Sequence, residues 1–289
     1  MPYEQHQDRS IPEQLQKWPG HIGNWHRWPN DRGTLNLLTP EVVLRGAQTV
    51  RTGQVFPCAR PIRGQNSLIR LEGPGSDVGA ISDRVNAYEP HIGPTHMDGL
   101  GHMFYKGFGF NGYTLDEVFD ESGARKLDMM GDVGIVTRGV FVDVARKRGV
   151  DRLQDDDCVY VEDIAQAAER IEPGDAFVVR LGPRTHLDRV DPAAGFHVDA
   201  LEFLGRKDIS VLVSDSPSDR FPSATPELPA PPIHILAEAF YGLPLVHDLN
   251  LEAVGEACAA QGRNDFLLIV APPNFHGTAG QVVQPIVVL

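Results

Sequence analysis

The sequence predicts an α/β domain whose central strands are covered on both faces. Three observations lead there. From about residue 130 onward, apolar runs rich in β-branched residues alternate with helical segments. One of them, ISVLVSDSP, is nearly continuous, as a strand buried on both sides is. And 289 residues with 42% apolar and 22% charged content can bury a sizeable core.

Residues 1–35 read as an irregular arm ahead of a single domain spanning 36–289. The arm is polar, with Trp18, Trp25 and Trp28 set among Pro, Gly and His, and it is expected to pack its aromatics on something, a neighbouring subunit being one option. In TPEVVLRGAQTVRTG, Thr39 is an N-cap candidate, Pro40 suits the first helical position and Gly53 marks the stop. The segment VFPCARPI follows as a strand. GIVTRGVFVDVA reads as strand, YVEDIAQAAERIEPGD as helix, AFVVRLG as strand and VDALEFLGRKD as helix. ISVLVSDSP is a buried strand, IHILAEAFYGL a helix and LPLVHDL a short strand or loop. LEAVGEACAAQG is a helix closed by Gly262, and FLLIVAPP and QPIVVL complete the set. The Pro/Ser-rich stretch 216–232 is too long for a passive turn and is a candidate wall or lid of a site.

A net charge of −13 argues against nucleic acid or an anionic membrane as partner, since both reward a Lys/Arg surplus. The N-terminal stretch lacks the apolar core of a signal peptide, and no apolar run reaches the length of a membrane span. Cys58, Cys158 and Cys258 form no close pair, which fits reduced, buried thiols in a cytoplasmic protein.

One stretch is chemically dense. HIGPTHMDGLGH, His91 to His102, holds three histidines and one aspartate in twelve residues. His96 and Asp98 are two apart, so on an extended strand their side chains share a face. Imidazole with carboxylate and no thiolate suits Zn, Mn or Fe(II) at a hydrolytic site. Gly93, Gly99 and Gly101 allow close backbone approach. The competing reading is a set of separate surface or turn histidines, since a lone His-x-Asp is common.

The same stretch resembles the HxGTHxDxxxH signature of the cyclase family, which includes bacterial kynurenine formamidase and isatin hydrolase. The likeness extends in order through DRGTLNLLTPEVVLRGAQTVRTGQVF, EDIAQAAERIEPGDAFVVRLG, ISVLVSDSP, IHILAEAFYGLPLVHDLNLEAV and FLLIVAPPNFHGTAGQVVQPIVVL, from about residue 30 to the end. It implies a swivelling β/β/α cyclase-like fold, a homodimer or homotetramer, and a divalent-metal site, Zn2+ or Mn2+, that hydrolyses amides or lactones. By the resemblance, His96 and Asp98 are metal ligands and His102 is the general acid/base.

Two departures stand out. The family's first histidine lies four residues before the second, where this chain has Ile92; His91 lies five before. On a regular strand His91 would face away from His96, so it reaches the metal only if Pro94 marks a β-bulge. Second, the resemblance implies a distal histidine, matched by His234, and about a dozen residues later a glutamate, whose place His247 takes. Exchanging a bridging carboxylate for a neutral imidazole favours one metal over two. His247 as a hydrogen-bonded core histidine is the alternative.

Asp215 ends a buried strand and could orient a ligand or cap the next turn. His186, His197 and His276 are isolated and read as surface or turn residues, though GTAGQ after His276 could form a backbone-donor wall. Trp25, Phe104, Tyr105 and Phe108 could stack on an aromatic substrate or simply pack. The pocket is expected from 216–232, from 103–113 (MFYKGFGFNGY) and from the N-terminal arm of another subunit.

The expected function is a hydrolase that opens a C–N bond of an amide or cyclic amide, of aryl formamide or isatin type, on a small aromatic or cyclic substrate. The alternatives are a lactone or ester hydrolase of the dienelactone type, a non-hydrolytic metal-dependent cyclase or isomerase, and a binding protein without catalysis.

Overall fold

The computed structural model describes residues 23–62, 66–72, 79–85, 91, 94–128, 134–184, 192–226, 228 and 230–289. Trp18, His186 and residues 1–22 of the arm lie outside them.

A nine-stranded sheet organises the chain. In chain order its strands are β1 (Val55–Pro57), β2 (His96–Asp98), β3 (Ile135–Asp143), β4 (Ala176–Arg180) and β5 (Val211–Ser214). They continue with β6 (Leu245–His247), β7 (Asp265–Val270), β8 (Gly280–Val282) and β9 (Ile286–Val288). The spatial order is β1-β9-β7-β3-β4-β5-β6-β2-β8. The centre, β3-β4-β5-β6, is parallel, and both flanks are antiparallel.

Strand periodicity sorts the central residues into two cores. Val140, Val142, Phe177, Val179, Leu212 and Leu245 face one cluster. Their neighbours Phe141, Ala176, Val178, Val211, Val213 and Val246 face the other. Each strand is therefore apolar on both faces, which is why its sequence shows a continuous run rather than alternation.

The first core is roofed by helices α1 (Val161–Ala168) and α2 (Val198–Gly205), through Ile164, Ala167, Leu201 and Leu204, and by the 232–241 helix. On the second core sits α3 (Glu252–Gln261), through Val254 and Cys258, and Gly262 closes it in a left-handed conformation at φ 60°. The helix expected after Thr39 forms at Pro40–Ala47, with the Thr39 side chain accepting from the Val42 amide. All three cysteines are free and buried.

The segment read as one helix, IHILAEAFYGL, is a single α turn at Pro232–His234 followed by a π-helix at Ile235–Tyr241. The described end of the arm packs on this chain's own π-helix. Trp25 stacks on Phe240, its indole N–H donates to the Ala239 carbonyl at 2.6 Å, and the Asn24 amide donates to the Phe240 carbonyl. Among the described residues no helix is long and apolar enough to cross a membrane.

Candidate metal centre

Strand β2 is short and central to the site. Its Met97 points into the second core, so His96 and Asp98 share the opposite face. β6 runs antiparallel beside it and places His247 directly opposite His96; β8, on the other side, places Gly280 opposite Asp98. The His247 side chain therefore lands on the His96–Asp98 face because of strand pairing, which spacing along the chain does not reveal.

Asp98 is the hub. Its Oδ2 lies 2.9 Å from His247 Nε2 and 3.5 Å from His234 Nε2, and its Oδ1 lies 3.5 Å from His96 Nε2 and 2.7 Å from His91 Nδ1. His102 stacks on His91 at 4.0 Å between ring centroids. All six residues named from sequence, His91, His96, Asp98, His102, His234 and His247, thus meet in one place.

Three imidazoles are held by their far nitrogens. His96 Nδ1 bonds the Pro94 carbonyl at 2.8 Å, and because a carbonyl only accepts, the proton sits on Nδ1. His234 Nδ1 contacts Asp219 Oδ2 at 2.5 Å, and His247 Nδ1 pairs with the Ser218 hydroxyl at 3.2 Å. Asp219 is itself fixed by the Ile233 and His234 amides. With Nδ1 so engaged, the Nε2 atoms turn towards Asp98, an arrangement typical of metal-binding histidines.

Electron-rich atoms then face one another. Asp98 Oδ2 and His247 Nε2 are buried and have no partner of hydrogen-bond geometry among the described residues. Burial alone would raise the Asp98 pKa, but the neighbouring His96 and His247 and the contacts with His234 hold it well below the usual carboxylate range. Burial pulls His102 down to about 4, with His91, His234 and His247 adding to the effect and Asp98 opposing it. The set His96, Asp98 and His247 brings three ligand atoms within 4.8 Å of one another. A divalent cation fits such a donor set.

The site opens into a cavity of about 620 Å³, counting its solvent-open mouth, and Pro217, Phe221 and Pro231 from the 216–232 loop form its apolar side. Arg184 and Asp248 line it too, as an ion pair. Among the described lining residues none comes from 103–113: Phe110 and Tyr113 are buried in the second core instead, so that expectation is corrected.

The route of His91 into the site also differs from expectation. Both ladders of β2 run one-to-one from His96 to Asp98, with no bulge, and Pro94 lies ahead of them. Residue 91 belongs to a turn, so strand parity does not govern where its ring points. GTAGQ contributes the pairing strand β8 rather than a donor wall.

Asp215 is neither ligand nor cap: its carboxylate accepts from the Leu181 and Gly182 amides at 2.8 and 3.0 Å. His197 caps α2 through the Asp199 amide, and His276 is two-thirds exposed beside Asp128. Sequence reasoning missed Arg184, Asp219 and Glu238. Glu238 is fully buried, one helical turn after His234, and forms a further ligand-competent set with Asp98 and His234.

A mixed sheet carrying a buried His/Asp cluster at the mouth of a cavity defines the class, an α/β protein with a site suited to a divalent metal. The family model described as "Putative cyclase" matches residues 21–219, and the chain belongs to that cyclase family. No curated protein matches the chain. A solved structure described as a novel cyclase is 24% identical, with a TM-score of 0.80, covering 93% of this chain and 98% of that one. Isatin hydrolase A from Labrenzia aggregata, bound to benzyl benzoate, is similar at 15% identity and TM-score 0.56, over 83% of this chain and 94% of the other. An isatin hydrolase bound to the product analogue thioisatinate gives 15% and 0.54, over 87% and 99%. At these identities the likeness establishes the cyclase-like fold.

Proposed function

We propose that this chain is a metal-dependent hydrolase that opens a C–N bond of an amide or cyclic amide of aryl formamide or isatin type. One observation carries the reading: the Nε2 atoms of His96, His234 and His247 converge on Asp98 while their Nδ1 atoms are engaged elsewhere. Buried lone pairs facing a carboxylate are costly without a cation between them. The isatin hydrolases among the structural neighbours support the choice of substrate class.

His91, His96, Asp98, His234 and His247 would hold the metal, Zn2+ or Mn2+. A divalent ion so held supplies positive charge that eases ionisation of a water and polarises a carbonyl, with zinc bringing the water to a pKa of about 7. His102 works from the cavity side: its imidazole takes the proton of the attacking water and returns it to the leaving nitrogen. Pro217, Phe221 and Pro231 offer a flat apolar wall for an aromatic ring and keep bulk water from it. Arg184, held by Asp248, presents a guanidinium edge to polar substituents of the substrate.

The test is metal analysis of protein purified without chelator, followed by matched aryl formamide, isatin and lactone substrates with and without added Zn2+ or Mn2+. Amide hydrolysis that disappears on chelation and returns with the ion is the expected result. Turnover of the lactone alone moves the chain to the lactone-hydrolase alternative. Product formed without oxygen from solvent makes it a cyclase or isomerase.

A further inference from the structure

The exchange of a glutamate for His247 argues from sequence for a single ion, but the structure holds a carboxylate elsewhere in the same site. Glu238 lies four residues after His234, on the same helical face, and its side chain is completely buried. Neither of its oxygens has a partner of hydrogen-bond geometry among the described residues. One of them lies, with an oxygen of Asp98 and a nitrogen of His234, in a group of atoms all within 4.8 Å of one another. Two buried carboxyl groups this close cannot both stay charged unless a cation lies between them.

Asp98 is shared by three sets of ligand atoms: one with His91 and His102, one with His96 and His247, and one with His234 and Glu238. Every member of the first two sets lines the open cavity, whereas Glu238 does not, so the set with Glu238 is the inner one.

The π-helix bears on how Glu238 arrives there. Its wider turn carries an additional residue per hydrogen-bonded ring, and such segments recur at functional sites. Ile235–Tyr241 is π-helical over its whole length and ends at Gly242 in a left-handed conformation, φ 61°. This helix supplies both His234, from the α turn at its start, and Glu238 to the metal side.

We propose that Glu238 is a metal ligand, the carboxylate of a second, inner cation position formed with Asp98 and His234. Asp98 then bridges two ions, and the negative charge that His247 cannot bring is supplied from the preceding helix. This rests on the metal-dependent reading above and deepens it from one ion to two.

The experiment compares wild type with Glu238→Gln, which keeps shape and removes charge. Each protein is stripped with chelator, equilibrated with Mn2+, and its bound ion counted by elemental analysis and titration calorimetry; paramagnetic resonance reports coupling between neighbouring Mn2+ ions. Wild type is expected to bind two ions with a spin-coupled signal. E238Q is expected to bind one, uncoupled, with that ion's affinity within a few-fold of the outer site. Thermal melts of the metal-free proteins check that the variant folds. One ion in both proteins, at equal affinity, overturns the inference and leaves the hydrolase reading standing. No ion in wild type removes both.

Discussion

His247 Nε2 lies 2.9 Å from Asp98 Oδ2 because β6 and β2 pair antiparallel with His247 opposite His96. Neither atom has a hydrogen-bond partner among the described residues, and both are buried. On the proposed reading, removing the imidazole takes away a ligand rather than a packing residue. His247→Ala is expected to lose most of its affinity for Zn2+ or Mn2+ while the metal-free protein folds normally. Chelator-competition titration with circular dichroism on the apo protein checks this; wild-type affinity in the variant would return His247 to the role of a core histidine.

Asp219 tests how the ligands are held. It accepts from the His234 ring and from two backbone amides while staying 1% exposed. Asn keeps one acceptor oxygen where Asp has two, so either the His234 ring or the Ile233 amide meets an NH2 group instead. Asp219→Asn should weaken metal binding about 10–100-fold, the usual effect of losing such an orienting partner. A variant that binds metal as wild type does would show that Asp219 only closes the helix start.

Gly280 is where close approach matters. A methyl group there would sit 2.4 Å from His91 Cε1 and 2.9 Å from the Met97 carbonyl. Real atoms do not come that near, so in Gly280→Ala His91 must swing away from Asp98 or β8 must shift. A displacement of about 1 Å can cost on the order of 100-fold in turnover. The expected outcome is a fall in kcat of that order, with His96 and His247 still binding metal. Unchanged kinetics would mean that His91 is dispensable.

The sequence reaches some of these residues more easily than others. His96 and Asp98 are legible because two-residue spacing on a strand is local, and the apolar runs of β3, β4, β5 and β7 are legible because burial on both faces leaves a continuous signal. His247 facing His96, and Gly280 facing Asp98, depend on non-local pairing that no spacing encodes. Glu238 was hidden for a related reason: within ILAEAFY it looks like one polar residue on an amphipathic helix, and only the packing of that helix shows it buried against Asp98. The ladder holds no bulge at Pro94 because residues 91 and 94 precede the strand, where the two-residue alternation of side chains does not hold.

Asp215 gives the chain a pH signature away from the metal. Burial pushes its carboxyl up to about 7, opposed only in part by the Leu181 and Gly182 amides and by the charges of Arg180 and Arg60. In the unfolded chain an aspartate titrates near about 3.9. Between about pH 4 and about pH 7 the folded state therefore holds more protons than the unfolded one, and this group's contribution to stability falls as pH rises through that window. Asp215→Asn abolishes the titration but presents one amide to a donor, costing about 1–3 kcal/mol at low pH. Urea midpoints measured with metal removed should therefore decline less steeply from pH 4.5 to pH 7 in the variant. An equal decline in both proteins would assign the slope to other groups.

His102 separates proton transfer from metal binding. It stacks on His91 and lines the cavity, with its ring 6.2 Å from that of His234. If it moves protons, His102→Ala lowers kcat by about 10²–10⁴-fold, the usual range for a general acid/base. Metal content should stay at the wild-type level, because His96, Asp98, His234 and His247 remain. The set His91, Asp98 and His102 is also close enough to bind an ion, which gives the measurement its force. Elemental analysis beside steady-state kinetics on one preparation decides: if metal and turnover fall together, His102 is a ligand, and another group must carry the proton.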